Sequence, residues 1–157
     1  RTAAMPVVLP PSEKDGRSVW RMFYYGRDAA EWSRGRPAFL PTGVVGLAES
    51  DDGLTWRRVR GPLAKGAILL PSESDDDWDA VQIGVSDVVH SKEEGYTMHY
   101  FGGSTEKMSF GPGPEIAGFR MRCGVARSSD GLTWVKDSAP TIEPTKEEGE
   151  WDSVFAS

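Results

Sequence analysis

The apolar and polar positions of this chain fall into short runs separated by turns rich in Gly, Pro and Asp. Residues 119–127 alternate apolar and polar side chains, which indicates a β-strand. Residues 19–25 are aromatic and β-branched, and they too predict a strand. Residues 81–89 form a nearly continuous apolar run, as expected of a strand buried on both faces. Gly or Pro interrupts most helical windows, so the pattern predicts an all-β chain without helices.

A seven-residue motif occurs twice between these runs: SDDGLTW over residues 50–56 and SSDGLTW over residues 128–134. An Asp-Gly pair between strands predicts a hairpin with a type I′ turn, in which both central residues have positive φ. Asp52 and Asp130 are expected to serve these turns structurally, with each side chain accepting nearby backbone N–H groups. In the same way, residues 10–17 predict a polar turn between the first two strands.

The repeat extends well beyond the turn. Three further landmarks recur in the same order at lags of 76, 78 and 73 residues: an aromatic strand (19–26 and 95–102), a Gly-x-Ala strand (45–48 and 123–126) and a Trp-Asp pair (78–79 and 151–152). Each unit is then four short antiparallel strands, and a radially repeated four-stranded sheet is a propeller blade. The sequence predicts about two such blades, with unit one at about residues 1–81 and unit two at about residues 82–157.

The order of these motifs resembles the five-bladed β-propellers of the arabinanase, levansucrase and invertase-like glycosidases. The resemblance rests on M-F-Y-Y-G or M-H-Y-F-G, on G-x-A-x-S-x-D-G-L-T-W and on the following W-D, and it covers nearly the whole chain. The turn is also similar to the sialidase Asp-box, which has one more residue between Asp and Gly. The resemblance implies a segment of a five-bladed propeller, with inner strands cut at both ends when Val7 is aligned with Val88 at a lag of 81 residues.

The resemblance also implies a function, the hydrolysis or transfer of a glycosidic bond, or carbohydrate binding. Such glycosidases need two carboxyl groups across the scissile bond. Asp79 and Asp152, near the starts of successive inner strands, are the implied catalytic pair. The expected partners are a carbohydrate and the remaining blades, or another chain that completes the ring. The substrate-binding residues expected on the same face of the propeller are Arg27, Asp28, Trp32, Trp78, Gln82 and Trp151.

Alternatives to catalysis stay open. The Trp-Asp pair recurs at the same place in both units, which is typical of a scaffold feature. Arg27-Asp28 is not repeated, since its counterpart is Gly103-Ser104, and this favours function, although a surface ion pair explains it as well. The alternative function is a non-catalytic propeller that binds a glycan or a protein, or that serves as a subunit of a larger assembly.

The composition and charge of the chain argue against several classes of partner. The chain has 18 Lys and Arg against 24 Asp and Glu, a net charge of −6, which argues against nucleic acid or an anionic membrane surface as partner. No apolar stretch is as long as a membrane span. No ligand-spaced cluster of His, Asp and Glu predicts a metal site, and no cofactor is predicted.

Cys123 is the single cysteine, so no intramolecular disulfide is possible and a reducing compartment is allowed. It lies on the apolar side of its strand and is predicted to be a core residue. The compartment itself stays unassigned, and any targeting segment is expected upstream of Arg1.

Overall fold

The computed structural model describes residues 2–14, 17–27, 42–109 and 112–145, and within them the chain is all-β. As the sequence predicts, the described residues contain no α-helix, and only a short 3-10 turn occurs at Ala64–Gly66. The ten strands of these residues are β1 Thr2–Lys14, β2 Arg17–Arg27, β3 Gly43–Ser50, β4 Arg57–Val59, β5 Gln82–Ser91, β6 Gly95–Gly103, β7 Lys107–Met108, β8 Ile116–Ala117, β9 Met121–Ser128 and β10 Val135–Lys136.

Eight of these strands form two antiparallel sheets of four. The first sheet has the order β1-β2-β3-β4, and the second has the order β5-β6-β9-β10. The predicted pair of four-stranded antiparallel units is therefore confirmed. The connection between β6 and β9 also contains a small hairpin of β7 and β8, in which Met108 pairs with Ile116.

The strand register corrects the predicted alignment of the two units at their first strands. Val8 pairs with Met22 in the first sheet, and Val88 pairs with Met98 in the second, so the lag at this strand is 80 residues rather than 81. Two adjacent valines allow either alignment in sequence. The pairing decides it, because a slip of one residue turns every side chain to the other face of a sheet.

The prediction of a polar turn at residues 10–17 is wrong for most of its length. β1 continues to Lys14, which pairs with Arg17, so the strands extend almost to the tip. The register shifts between Leu9 and Ser12, across Pro10 and Pro11. Proline has no N–H to donate, so it interrupts the hydrogen-bond ladder without ending the strand. The tip at residues 15–16 lies outside the described residues.

The second sheet packs against one face of the first, with β5 in contact with β1, β2 and β3. Phe23 and Leu47 from the first sheet and Met98 and Tyr100 from the second are fully buried in this interface. Trp134 meets Phe23 edge-on, with ring centroids 5.9 Å apart. Edge-to-face aromatic contacts add to the stability that burial of the rings already provides.

Burial along β5 is less complete than predicted. Gln82 and Val85 lie in a fully buried half, whereas Asp87 is exposed and Val89 is 51% exposed. The prediction of a strand buried on both faces thus holds for the first half only, because β5 is an edge strand of its sheet. Cys123 is buried as predicted, and burial raises the pKa of its thiol.

The two Asp-Gly turns are not type I′. Gly53 and Gly131 have φ of 73° and 77°, but neither Asp52 nor Asp130 has a positive φ. Six residues, 51–56, separate β3 from β4, which is longer than a two-residue hairpin loop. Short polar side chains that bond the backbone offer it an alternative to a tight hairpin.

The first turn shows which hydrogen bonds the repeated motif makes. The Ser50 hydroxyl oxygen accepts the N–H of Gly53 at 2.8 Å, and Asp52 Oδ1 accepts those of Leu54 and Thr55 at 2.8 and 2.7 Å. These N–H groups hold the pKa of Asp52 well below its usual range. The structural role predicted for the repeated Asp is confirmed, since Asp130 accepts the equivalent N–H groups.

Replacement of Ser128 by Ala is expected to lower the free energy of unfolding by about 1–3 kcal/mol, because the buried N–H of Gly131 loses its acceptor. Ser128 is 7% exposed, and its oxygen lies 2.8 Å from that nitrogen. Chemical denaturation of both forms measures the change. Ser129→Ala is the matched control, since Ser129 is exposed and should alter stability by less than about 0.5 kcal/mol. Equal effects of the two variants would contradict the structural role.

Candidate functional site

Trp78 sits in a seat built by two glycines of the second sheet. Its ring stacks on Tyr100 with centroids 5.3 Å apart and an interplanar angle of 28°. A Cβ on Gly124, or on Gly102 of the neighbouring strand, would overlap the Trp78 ring. Glycine is therefore required at both positions for the indole to lie flat on the sheet. The ring is half-buried, so one part of it still faces solvent.

Asp79 lies deeper than its neighbour and is 1% exposed. Its Oδ2 accepts hydrogen bonds from Lys136 Nζ at 2.6 Å and from the Tyr100 hydroxyl at 3.0 Å. Burial, followed by the nearby Asp79 charge, raises the pKa of Tyr100, so its phenol stays protonated and donates. Lys136 also donates to the Ser72 hydroxyl oxygen at 3.2 Å. The carboxylate is thus charge-paired and enclosed.

A polar cleft of about 410 Å³ opens beside Trp78, where the connection before β5 meets the one after β6. The two connections touch, since the Thr105 hydroxyl donates to the backbone oxygen of Asp75 at 2.9 Å. Hydroxyl, guanidinium and carboxylate groups share the cleft with the indole. Its lining residues are Asp75, Asp76, Trp78, Ser104, Thr105, Glu106, Arg122 and Glu143.

Arg122 organises the charges of this cleft. It contacts Glu106 Oε2 through one terminal nitrogen at 3.2 Å and Glu143 Oε2 through Nε at 3.5 Å. It also donates to the Ser104 hydroxyl oxygen at 3.2 Å. The guanidinium is mostly buried, with a side chain 11% exposed, whereas those of Glu106 and Glu143 are 43% and 53% exposed. Arg120 pairs with the other oxygen of Glu106, Oε1, at 3.0 Å. The cleft therefore presents two solvent-facing carboxylates, both held by Arg122, with Glu106 held by Arg120 as well.

The predicted site residues lie in different parts of the chain, and some lie outside its described part. Trp78 lines the cleft, and Asp79 is buried next to it. Gln82 is fully buried, and its Nε2 donates to the Gly118 carbonyl at 2.8 Å. Arg27 ends β2 on the first sheet, with its guanidinium 5.9 Å from the centre of the Tyr25 ring. Four predicted residues lie outside the described residues: Asp28, Trp32, Trp151 and Asp152.

Sequence reasoning missed the residues that supply most of the cleft. Ser104, the repeat counterpart of Asp28, lines the cleft. Arg122 and Glu143 come from β9 and from the chain after β10, and no local pattern connects them. A usable signal did exist for the partner of Asp79. Arg58 and Lys136 are basic residues at equivalent positions of the two units. A repeated basic residue is expected if it pairs with the Asp of the repeated Trp-Asp pair.

The described residues contain no group of three or more His, Cys, Asp or Glu side chains placed to hold a metal ion. None of the described segments forms a helix long and apolar enough to cross a membrane. Comparisons of the chain with known protein families, curated proteins and solved structures found no match. Its function has to be inferred from its own residues.

Proposed function

We propose that the two sheets are neighbouring blades of a β-propeller similar to those of the arabinanase, levansucrase and invertase-like glycosidases, and that the cleft beside Trp78 binds carbohydrate. The arrangement of the sheets supports the first part. Both are four-stranded antiparallel meanders, they pack face to face, and the first strand of each lies at an edge. Propeller blades have this order of strands and this packing.

The cleft is the observation that carries the second part. Small polar ligands bind in concave sites that combine an apolar surface with a few fixed polar groups. Trp78 supplies an aromatic surface beside the Thr105 hydroxyl, and Glu106 and Glu143 supply acceptors for sugar hydroxyls. Arg122 holds both carboxylates in place, so the acceptors are positioned before the ligand arrives.

Binding fits the described residues better than catalysis does. A general acid or nucleophile must reach the glycosidic oxygen or carbon, whereas Asp79 is enclosed by Lys136 and Tyr100. The predicted pairing of Asp79 with Asp152 stays a prediction, because Asp152 lies outside the described residues. Hydrolysis or transfer of a glycosidic bond is the second candidate function, and the resemblance in sequence favours it.

Calorimetric titration with oligosaccharides of arabinose, fructose and mannose tests the binding proposal. Wild-type chain is expected to bind at least one of them. Glu106→Gln and Glu143→Gln should each weaken that binding about tenfold, since each removes a charge-assisted hydrogen bond of about 1.4 kcal/mol. Glu94→Gln is the matched control, because Glu94 is exposed at the opposite end of β6. Absence of binding, or equal weakening by all three variants, would overturn the proposal.

Hydrolysis of aryl glycosides by the same preparations separates the two candidate functions. A binding protein is expected to release no aryl group above the uncatalysed rate. If the wild-type chain hydrolyses such a reporter and a folded Asp79→Asn variant does not, the catalytic alternative replaces the binding one.

A further inference from the structure

The first sheet carries an open slot that matches the seat of Trp78 and Asp79 on the second sheet. This first-sheet slot has a volume of about 300 Å³. Tyr24 neighbours Phe23, whose side chain packs against the second sheet, so Tyr24 points to the opposite face. The slot therefore opens away from the second sheet. Its lining includes Ala3, Tyr24, Gly26, Gly46, Arg58 and Ala67.

The tyrosine and its glycine correspond between the two sheets by strand pairing. Tyr24 pairs with Gly46 across β2 and β3, and Tyr100 pairs with Gly124 across β6 and β9. The second glycine corresponds as well, because Gly26 follows Tyr24 by two residues just as Gly102 follows Tyr100. Both sheets thus have the same aromatic ring beside the same two positions without a Cβ.

The cation corresponds too. Arg58 pairs with Ala48 across β3 and β4, and Lys136 pairs with Ala126 across β9 and β10. In the second sheet this cation binds the Asp79 carboxylate at 2.6 Å. Arg58, in contrast, is exposed.

The two sheets differ in the side chain that lies over the glycine. In the second sheet the Trp78 indole lies over Gly124 and stacks on Tyr100. In the first sheet the Tyr24 ring itself lies over Gly46, with Cζ 2.6 Å from where a Cβ would be. An indole bound over Gly46 therefore requires the Tyr24 ring to move aside, to the place that Tyr100 has in the second sheet, 3.4 Å from the Cβ position of Gly124. With the Tyr24 ring there, the slot has the shape and charge to receive an indole followed directly by a carboxylate.

The surface next to the slot supports the same conclusion. An apolar groove of about 290 Å³, lined in part by Met22, Ala48 and Trp56, continues from Tyr24 across the first sheet. The counterparts of Met22 and Ala48 are Met98 and Ala126, which are fully buried where the second sheet meets the first. This face of the first sheet therefore has the composition of a face that docks on another sheet.

The sequence contains two Trp-Asp pairs, and Trp78-Asp79 already fills the second-sheet seat. We propose that the first-sheet slot binds the Trp151-Asp152 segment of a second copy of this chain. The indole stacks on Tyr24 over Gly46, and the carboxylate pairs with Arg58. The segment comes from a second copy because the chain before it, at Ile142, bridges to Cys123 on the second sheet, whereas the slot faces away from that sheet. The inference rests on the proposed propeller repeat.

A labelled peptide of residues 146–157 tests this docking by fluorescence anisotropy. The receptor is the full chain carrying Trp151→Ala and Asp152→Ala, so that its own segment does not compete. Saturable binding is expected, and Arg58→Ala in the receptor or Trp151→Ala in the peptide should weaken it at least tenfold. Arg57→Ala is the matched control, because Arg57 alternates with Arg58 along β4 and pairs with Asp51 at 2.9 Å.

No binding of the peptide, or binding that Arg58→Ala leaves unchanged, would overturn the proposal. Sedimentation velocity supplies the second readout. The wild-type chain should self-associate as its concentration rises, and Trp151→Ala should abolish this; a wild-type chain that stays monomeric at its highest soluble concentration rejects the second copy as the occupant. Arg58→Ala lies outside the cleft and should leave oligosaccharide titrations unchanged, so failure of the docking and failure of carbohydrate binding are distinguishable.

Discussion

Replacement of Lys136 by Met is expected to lower the free energy of unfolding by about 3–5 kcal/mol, because it leaves the Asp79 carboxylate buried without a countercharge. Asp79 is 1% exposed, so water cannot replace the lost ammonium group. The Tyr100 hydroxyl is the remaining donor to Asp79 Oδ2. Urea denaturation at neutral pH and a low protein concentration measures the loss.

Arg58→Met is the matched control for this experiment. Arg58 is the repeat counterpart of Lys136, but it is exposed, and its replacement should change stability by less than about 0.5 kcal/mol. A double variant with Asp79→Leu and Lys136→Met should recover part of the loss, because it removes the buried charge as well as its partner. Equal losses for Lys136→Met and Arg58→Met would contradict the buried ion pair.

Replacement of Phe23 by Ala is expected to cost about 3–5 kcal/mol, the range for a large side chain removed from a packed core. Phe23 is fully buried between the two sheets and contacts Trp134 edge-on. Its loss leaves a cavity between two rigid layers that cannot close around it. Thermal and denaturant unfolding, followed by tryptophan fluorescence, measures the change.

His99 provides the internal control for Phe23, because it occupies the equivalent position of the second sheet. Its side chain is half-buried and lies on the other face of its strand from Met98, which packs in the interface. His99→Ala should therefore cost less than about 1 kcal/mol. If the two variants lose similar stability, the face-to-face packing of the sheets is wrong.

The strands were predictable because the pattern that defines them is local. The period-two alternation and the 76- to 78-residue repeat mark β2, β3, β6 and β9, and all four occur in the structure. The turn type was not predictable from Asp-Gly alone, because the side chains of Ser50 and Asp52 bind the backbone in place of a tight hairpin. A rule that reads the turn type from the Asp-Gly pair alone does not take these side-chain hydrogen bonds into account.

The site was predictable only in part, for a similar reason. The repeat located Trp78 and Asp79, but the accessibility of Asp79 depends on Lys136, which is 57 residues away in sequence. The cleft likewise joins Glu106, Arg122 and Glu143 from three separate segments. Contacts of this kind follow from how the sheets and connections pack. The sequence around each contacting residue does not reveal its partner.

The Asp79–Lys136 contact also has a consequence for local unfolding. β10 has only two residues paired with β9, and a strand that short would be expected to fray. Lys136 ties it to Asp79 and Ser72, in the connection that precedes β5. The last strand of the second sheet and the segment that leads into its first strand are therefore expected to open together, so that the burial of Asp79 protects the shortest strand of this sheet.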